Sequence, residues 1–291
     1  MSVFKLTTYE RLVRYLANDA NTPLSEDSGK MGLRQEYEGW IASVSKDIER
    51  WLNRSLKSES RTEYFHVKRE RKRFWVDAYP ISSVTSVYQD STGQYSGNED
   101  EIESDDWVIG ESDRSIDLDY SLLFNHSKGL RVIYTGGLAA HATRSTFAIT
   151  SAVNTFTAGR WVKNSDNTAA GIVRGTPTSA QVILDNLWGV FAAGDALTEY
   201  TDQHFQTATD PAVTATISSI TAQSLAESQP SIVRACEAQI MYMNHHKGDF
   251  ELVGSTRDAV NLRRSPAVGG EMLTLEVRRM LRPYRSVIGE F

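Results

Sequence analysis

Apolar positions recur with a helical period at the start of the chain. Tyr9, Leu12, Val13 and Leu16 fall at i, i+3, i+4 and i+7, one face of a helix. Thr7 and Glu10 have the spacing of a capping box, each side chain placed to satisfy the other's exposed backbone N–H. Asn21-Thr22-Pro23 and Ser28-Gly29 then punctuate a loop. A longer stripe follows, made of Leu33, Tyr37, Trp40, Ile41, Val44, Ile48, Trp51 and Leu52. Arg34, Glu38, Lys46, Asp47, Glu49 and Arg50 lie opposite it, which predicts a second, amphipathic helix ending near residue 52.

From about residue 60 to 137 the period shortens to that of strands. Thr62–Val67, Arg73–Val76 and Ser83–Gln89 are short runs of β-branched and aromatic residues, with Pro80 between the last two. Asp105–Ile109 and Ser115–Leu118 flank Gly110–Asp113, the pattern of a hairpin. Gly129–Tyr134 is a strongly apolar strand closed by Gly136-Gly137.

Residues 146–226 are rich in Thr, Ala, Ser, Gly and Val and poor in charge. They hold a weak repeat at an offset of 35: Phe156-Thr157-Ala158-Gly159 matches Phe191-Ala192-Ala193-Gly194. Small and β-branched residues follow each copy, at Ala169–Val173 and Ala212–Ile220. Two copies are too few for a solenoid and suit a small barrel or sandwich of two related halves.

Helical signals return at Pro230, a first-turn proline with Ser228 as its expected cap. Ile232, Cys236, Ile240 and Met243 form the stripe of a helix through about His246, and Gly248 is the expected stop. Residues 249–270 read as a long loop. A last amphipathic segment puts Leu273, Val277, Met280, Leu281 and Tyr284 on one side, among Arg278, Arg279, Arg282 and Arg285. Such a segment either docks on a partner or packs on its own domain.

Composition narrows the function. With 291 residues, 40% of them hydrophobic, the chain buries a sizeable core without staples. Its single cysteine, Cys236, excludes an intrachain disulfide and a multi-cysteine zinc site. The net charge of −6 argues against a broad basic surface gripping nucleic acid. No apolar run reaches the ~18–20 residues of a membrane span, and Met1–Leu12 lacks the pattern of a signal peptide. The expectation is a soluble protein of a reducing compartment, with no membrane partner.

Candidate chemistry is sparse. The sequence has no phosphate loop, dinucleotide fingerprint or nucleophile elbow. His245 and His246 are adjacent and point ~100° apart on a helix, so they do not chelate one metal. Cys236 sits on an apolar stripe and reads as a buried structural thiol. No catalytic residue, metal or cofactor is expected. Two charged stretches stand out. The acidic one holds Glu99, Asp100, Glu101, Glu103, Asp105 and Asp106; it lacks EF-hand spacing and reads as a solvated loop, or as a channel lining that repels DNA. The basic one holds Lys68, Arg69, Arg71, Lys72 and Arg73 beside Phe74 and Trp75, and reads as a hairpin tip contacting an acidic neighbour in the same chain or the next subunit.

The order of elements resembles the head–tail connector (adaptor) proteins of tailed bacteriophages. Four stretches carry the resemblance: Ile48–Arg54, Phe74–Val87 with its Tyr79-Pro80-Ile81 centre, Val132–Gly137, and Leu275–Arg285. In such proteins a Pro-led helix, here from Pro230, follows the Tyr-x-Gly-Gly strand almost directly. About 80 residues intervene here, and a surface loop tolerates such an insertion because closure entropy grows slowly with length. The resemblance implies an α+β fold: a helical connector core with a small antiparallel sheet over 1–143 and 227–291, and an inserted all-β domain, barrel or sandwich, over 144–226. It implies a ring of about twelve subunits beneath the portal of the virion neck, assembled in the host bacterial cytoplasm. Double-stranded DNA passes transiently through it during packaging and ejection, and a stopper or tail protein attaches below. Leu275, Val277, Arg278, Leu281, Arg282, Tyr284 and Arg285 become the expected portal-docking set. Lys68, Arg69, Arg71, Lys72 and Arg73 would meet Glu99, Asp100, Glu101 and Glu103 between subunits. The alternatives are another neck or tail part (stopper, tail terminator or baseplate component) and a carbohydrate-binding module in 144–226.

Overall fold

A computed structural model describes residues 3–17, 31–68, 70–97, 99–202, 204–245 and 273–285. The expected loop at 21–29, Arg69, His246, the stop at Gly248 and the run 249–270 lie outside the described residues, as does the side chain of Leu33. The chain is α+β, and every ladder between strands is antiparallel. It forms two compact units: the residues up to Leu52 with those from His141 on, and Asn53–Ala140. The N-terminal helices thus share a unit with the 144–226 strands and not with the small sheets, a grouping that periodicity alone does not reveal.

In the first unit, β8 (Arg144–Val153), β9 (Trp161–Asn164), β10 (Ala170–Arg174), β11 (Gln181–Trp188), β12 (Ala196–Tyr200) and β13 (Thr214–Ala222) close into a barrel in the order β10-β11-β8-β13-β12-β9. Of the two expected architectures, it is the barrel. Its six pairings map onto themselves when β8, β9 and β10 are exchanged for β11, β12 and β13. The faint repeat is therefore a structural one. Each Phe-x-Ala-Gly copy buries its phenylalanine in the barrel core and turns at a glycine with positive φ, +86° at Gly159 and +97° at Gly194. Each turn then makes the same bonds: Gly159 N to Val173 O and Gly194 N to Ile217 O, both 2.8 Å. Val173 N returns to Arg160 O as Ile217 N returns to Asp195 O. Gly159 and Gly194 lie 35 residues apart but Val173 and Ile217 lie 44 apart, so the second half carries a longer excursion before its last strand.

The helices α1 (Tyr9–Ala17) and α2 (Met31–Leu52) precede the barrel; α3 (Leu225–Ser228), α4 (Pro230–His245) and α5 (Leu275–Leu281) follow it. The predicted apolar stripes are buried: Leu12 and Leu16 on α1, Tyr37, Ile41, Val44, Ile48 and Leu52 on α2, Ile232, Cys236 and Ile240 on α4. Each such side chain contributes roughly 1.5–3 kcal/mol by leaving water. Two caps differ from expectation. Thr8, not Thr7, accepts the Arg11 amide at 3.3 Å, because Thr7 is fully buried and donates instead to Glu237 at 2.9 Å. Ser228 closes α3, its hydroxyl donating to Ser224 O at 3.0 Å, and does not cap α4.

The Asn53–Ala140 unit holds two sheets around one core. β1 (Glu59–Val67), β7 (His126–Gly136), β3 (Ile81–Gln89) and β4 (Asp100–Ile102) form the first, in that order. β2 (Arg73–Trp75), β6 (Ser115–Leu118) and β5 (Trp107–Ile109) form the second. Val67, Phe74, Ile81, Val87, Ile116, Leu130, Val132 and Tyr134 meet between them. Alternation along β1 leaves Ser60, Thr62, Tyr64 and His66 outward, the one-face-wet pattern of an antiparallel sheet.

Candidate functional site

Three of the stretches that carry the connector resemblance converge in the second unit. Arg54, at the end of the first stretch, donates to the Tyr79 carbonyl, and its guanidinium lies 3.4 Å from the Tyr79 ring centroid. Arg114 lies over the same ring at 4.6 Å. The Tyr79–Pro80 peptide is cis, Pro80 O accepts Gly137 N at 3.1 Å, and Ile81 stands opposite Gly136. Ala78 N donates to the Tyr134 hydroxyl at 3.1 Å, which donates in turn to Glu63. A Cβ on Gly136 would strike the Ala78 carbonyl, and one on Gly137, where φ is +122°, the Lys57 carbonyl. Burial holds the Arg54 guanidinium below its ordinary range and raises the Glu63 carboxyl and the Tyr134 hydroxyl above theirs. This locus is a closely packed, hydrogen-bonded joint between strands.

The basic stretch is not a hairpin tip. β1 pairs with β7 and β2 with β6, so the two strands that flank it belong to different sheets. Arg73 forks onto Asp117 with bonds of 2.6–3.0 Å, Lys72 reaches Asp119 O at 2.6 Å, and Arg71 reaches Arg73 O at 2.9 Å. Lys68 and Lys72 are exposed; Arg69 lies outside the described residues. The acidic stretch is not a plain loop either. Asp100 and Glu101 lie in β4, at the edge of its sheet, and Ser104–Asp106 form a 3-10 turn leading into β5. Glu99 pairs with Arg131 at 3.0 Å, while Asp100, Glu101 and Glu103 are exposed. So Arg73 and Glu99 have partners within the chain, and the fold puts the two stretches on different strands of one unit.

The turn before β4 is anchored by Asp90, which accepts the Tyr95 amide at 2.8 Å and the Thr92 hydroxyl and amide at 2.7 Å. These bonds, the Tyr95 amide first, hold its carboxyl down at about 2, against 3.8 in a free side chain. A depressed folded pKa adds stability that is complete above the unfolded value and lost as pH falls toward the folded one. We expect the Asp90 contribution to fade between about pH 4 and pH 2, and Asp90→Asn to remove that part of an acid-unfolding curve followed by circular dichroism.

The C-terminal segment divides. Leu273, Val277 and Leu281 are buried, and α5 packs on α4. Thr274 caps it, accepting Val277 N at 3.4 Å while its own amide donates to Gln239 Oε1 at 3.0 Å. Arg278 bonds Leu273 O at 3.0 Å, and Arg285 lies 5.0 Å from the Trp51 ring centre. Of the expected docking set, Val277 and Leu281 are therefore engaged by the chain itself, whereas Leu275, Arg282 and Arg285 face outward and Tyr284 is half-buried.

Sequence reasoning missed the contacts that tie helices to barrel. Arg11 on α1 reaches Glu237 on α4 at 2.6 Å and Asn186 O on β11 at 3.4 Å. Asn186 donates to Glu227, which also accepts the Ser145 hydroxyl. Arg174 holds Asp185 at 2.7 Å. Arg14 lies 4.3 Å from the Trp188 ring centre and 5.3 Å from that of Phe205, whose ring also meets Trp161 and Tyr200 edge-on. Burial lowers the Arg14 pKa. Phe205 belongs to the longer excursion of the second barrel half. No local signal marks these pairs: Arg11 and Glu237 are 226 residues apart.

Cys236 is buried and its thiol pushed up to about 12, first by desolvation, which suits a packed thiol and not a nucleophile. Among the described residues no three His, Cys, Asp or Glu side chains are grouped to hold a metal, and no described helix is long and apolar enough to cross a membrane.

The class so defined is an α+β chain with a closed barrel of two related halves and a separate two-sheet unit. No protein-family model matches it, and neither does any curated protein. Among solved structures it is similar to a chain from the neck of an empty GTA particle computed with C6 symmetry, with a TM-score of 0.36 and 13% identity over 49% of this chain and 71% of that one.

Proposed function

We propose that this chain is a structural head–tail adaptor of a phage-like virion, forming a ring below the portal and catalysing nothing. The observation that carries the reading is convergence. Three of the four stretches that resemble connector proteins, far apart in sequence, meet at Tyr79-Pro80 and Gly136-Gly137. The mild net negative charge suits a conduit, because many Lys/Arg–phosphate contacts would hold passing DNA in place. The ring has about twelve subunits, and its lower face receives a stopper or tail protein. The portal is met by the outward part of the C-terminal segment: Leu275 as the apolar anchor, with Arg279 and Arg282 toward acidic partners.

A pull-down with the cognate portal tests this. Deleting residues 272–291 is expected to abolish binding. Because that also removes the buried Leu273, Val277 and Leu281, the exposed pair Arg279→Glu with Arg282→Glu serves as the second variant. It is expected to bind at least ~10-fold more weakly with its thermal unfolding unchanged. Unaltered portal binding by a folded charge-reversed variant overturns the docking assignment. A reconstruction placing the chain outside the neck overturns the function.

A further inference from the structure

Two seams of the barrel map onto themselves when its halves are exchanged, β8–β11 and β9–β12, and they lie on opposite sides of the cylinder. The first joins long strands, of ten and eight residues, and the second short ones, of four and five. Short strands carry few ladder hydrogen bonds, so the β9–β12 side has less backbone to hold it closed. Lys163 pairs there with Thr198, the residue 35 positions on that matches it, so the axis relating the halves crosses this seam.

Side chains supplement the ladder here, and they do so reciprocally. Glu199 on β12 is 1% exposed, and its carboxylate accepts the Thr157 amide, in the first half's Phe-x-Ala-Gly turn, at 2.5 Å. Its equivalent on β9 is Asn164, 35 residues earlier and also buried. The backbone agrees: Asn164 N donates to Ala169 O at 3.1 Å and Glu199 N to Val213 O at 3.0 Å, the same 44-residue offset as Val173 and Ile217. The amide equivalent to Thr157 is that of Ala192, in the second half's turn. Asn164 does not hold it directly. Its Oδ1 is taken by the Thr168 and Ala169 amides at 2.9 and 3.0 Å, so Nδ2 is what it offers to the other half. One N–H cannot hold another, and an acceptor intervenes: Asp195 Oδ2 accepts Asn164 Nδ2 at 3.1 Å and Ala192 N at 3.0 Å. The first-half match of Asp195 is Arg160, a donor only, which reaches Thr201 O at 3.5 Å. Glu199, a carboxylate one methylene longer than asparagine, spans the gap alone.

We propose that these two latches, one direct and one relayed, hold the barrel shut at β9–β12, and that releasing them opens this seam while the β8–β11 side stays closed. Each turn amide ends on a carboxylate, and each carboxylate is supplied or held by the half opposite the turn. The device stands independently of the ring reading above.

Hydrogen exchange of the full-length protein, resolved to single amides, reads the latches one at a time. Thr157 and Ala192 are exposed residues, yet their amides are expected to be protected at least ~10-fold more than those of their exposed neighbours Ala158 and Ala193. Glu199→Ala is expected to speed exchange at Thr157 and along the β9–β12 ladder at least ~10-fold while β8–β11 amides keep their rates. Asp195→Ala is expected to do the same at Ala192. Adding Asn164→Glu to Asp195→Ala is expected to restore protection at Ala192, because the longer carboxylate then spans the gap as Glu199 does. Wild-type protection no greater at Thr157 and Ala192 than beside them overturns the proposal. So does a rise in exchange shared equally by both seams, the mark of a general loss of stability, and so does a folded rescue variant that leaves Ala192 unprotected. Should the variants fail to fold, the wild type still decides: its β9–β12 ladder must exchange faster than its β8–β11 ladder, and equal protection of the two overturns the proposal.

Discussion

Replacing Glu237 with alanine is expected to lower the unfolding free energy by about 3–5 kcal/mol, among the largest effects of any single substitution in the chain. The carboxylate is 2% exposed and accepts from the Arg11 guanidinium at 2.6 Å and the Thr7 hydroxyl at 2.9 Å. Arg11 itself is only 12% exposed. Truncating Glu237 leaves a cation and a hydroxyl away from water without their acceptor, and that desolvation is the source of the loss. The pair itself adds little net stability. Arg11→Met combined with Glu237→Leu, which removes both charges and keeps the volume, is therefore expected to be far milder than Glu237→Ala. Urea unfolding of the three proteins checks both statements. Equal losses in the single and double variants would show that packing, not the buried charge, dominates.

The second large effect lies in the barrel. Phe191→Ala is expected to destabilise by about 3–5 kcal/mol, the sum of lost transfer energy and an unfilled cavity. Phe191 is 1% exposed and meets Phe147 edge-on at 5.6 Å between ring centres. Phe156 is the matching residue of the first half and is 2% exposed. Phe156→Ala is expected to cost a similar amount, since both rings fill the same kind of site under equivalent turns. Thermal melts of the two variants test this, and a several-fold difference between them would mean that the halves share connectivity but not energetics.

How much of this was legible in the sequence follows from the range of the interactions. Periods of 3.6 and 2 are local, so α1, α2, α4 and most strands of the second unit stand close to where the pattern puts them. The repeat at residues 156–159 and 191–194 was legible because a positive-φ turn demands glycine and the core demands a large ring. Composition singles out β10 and β13 in the barrel but not β8, β9, β11 and β12. β11 buries Asp185 and Asn186 where it meets α1, and that breaks the expected alternation. The basic stretch reads locally as a hairpin tip because nothing local says whether two successive strands pair with each other; here both pair elsewhere. The site residues were legible as charge and amphipathicity. Their use was not, because whether Val277 faces a partner or α4 is decided by residues forty positions upstream.

The symmetry of the barrel's connectivity has a further consequence. Exchanging its halves leaves closure untouched, as expected of a tandem duplication whose two products must keep the residues that shut the cylinder. What they need not keep is the stretch between the second half's first turn and its last strand, where Phe205 meets Trp161, Trp188 and Tyr200. That excursion is where descendants of such a module are free to diverge in what they touch while inheriting an unchanged frame.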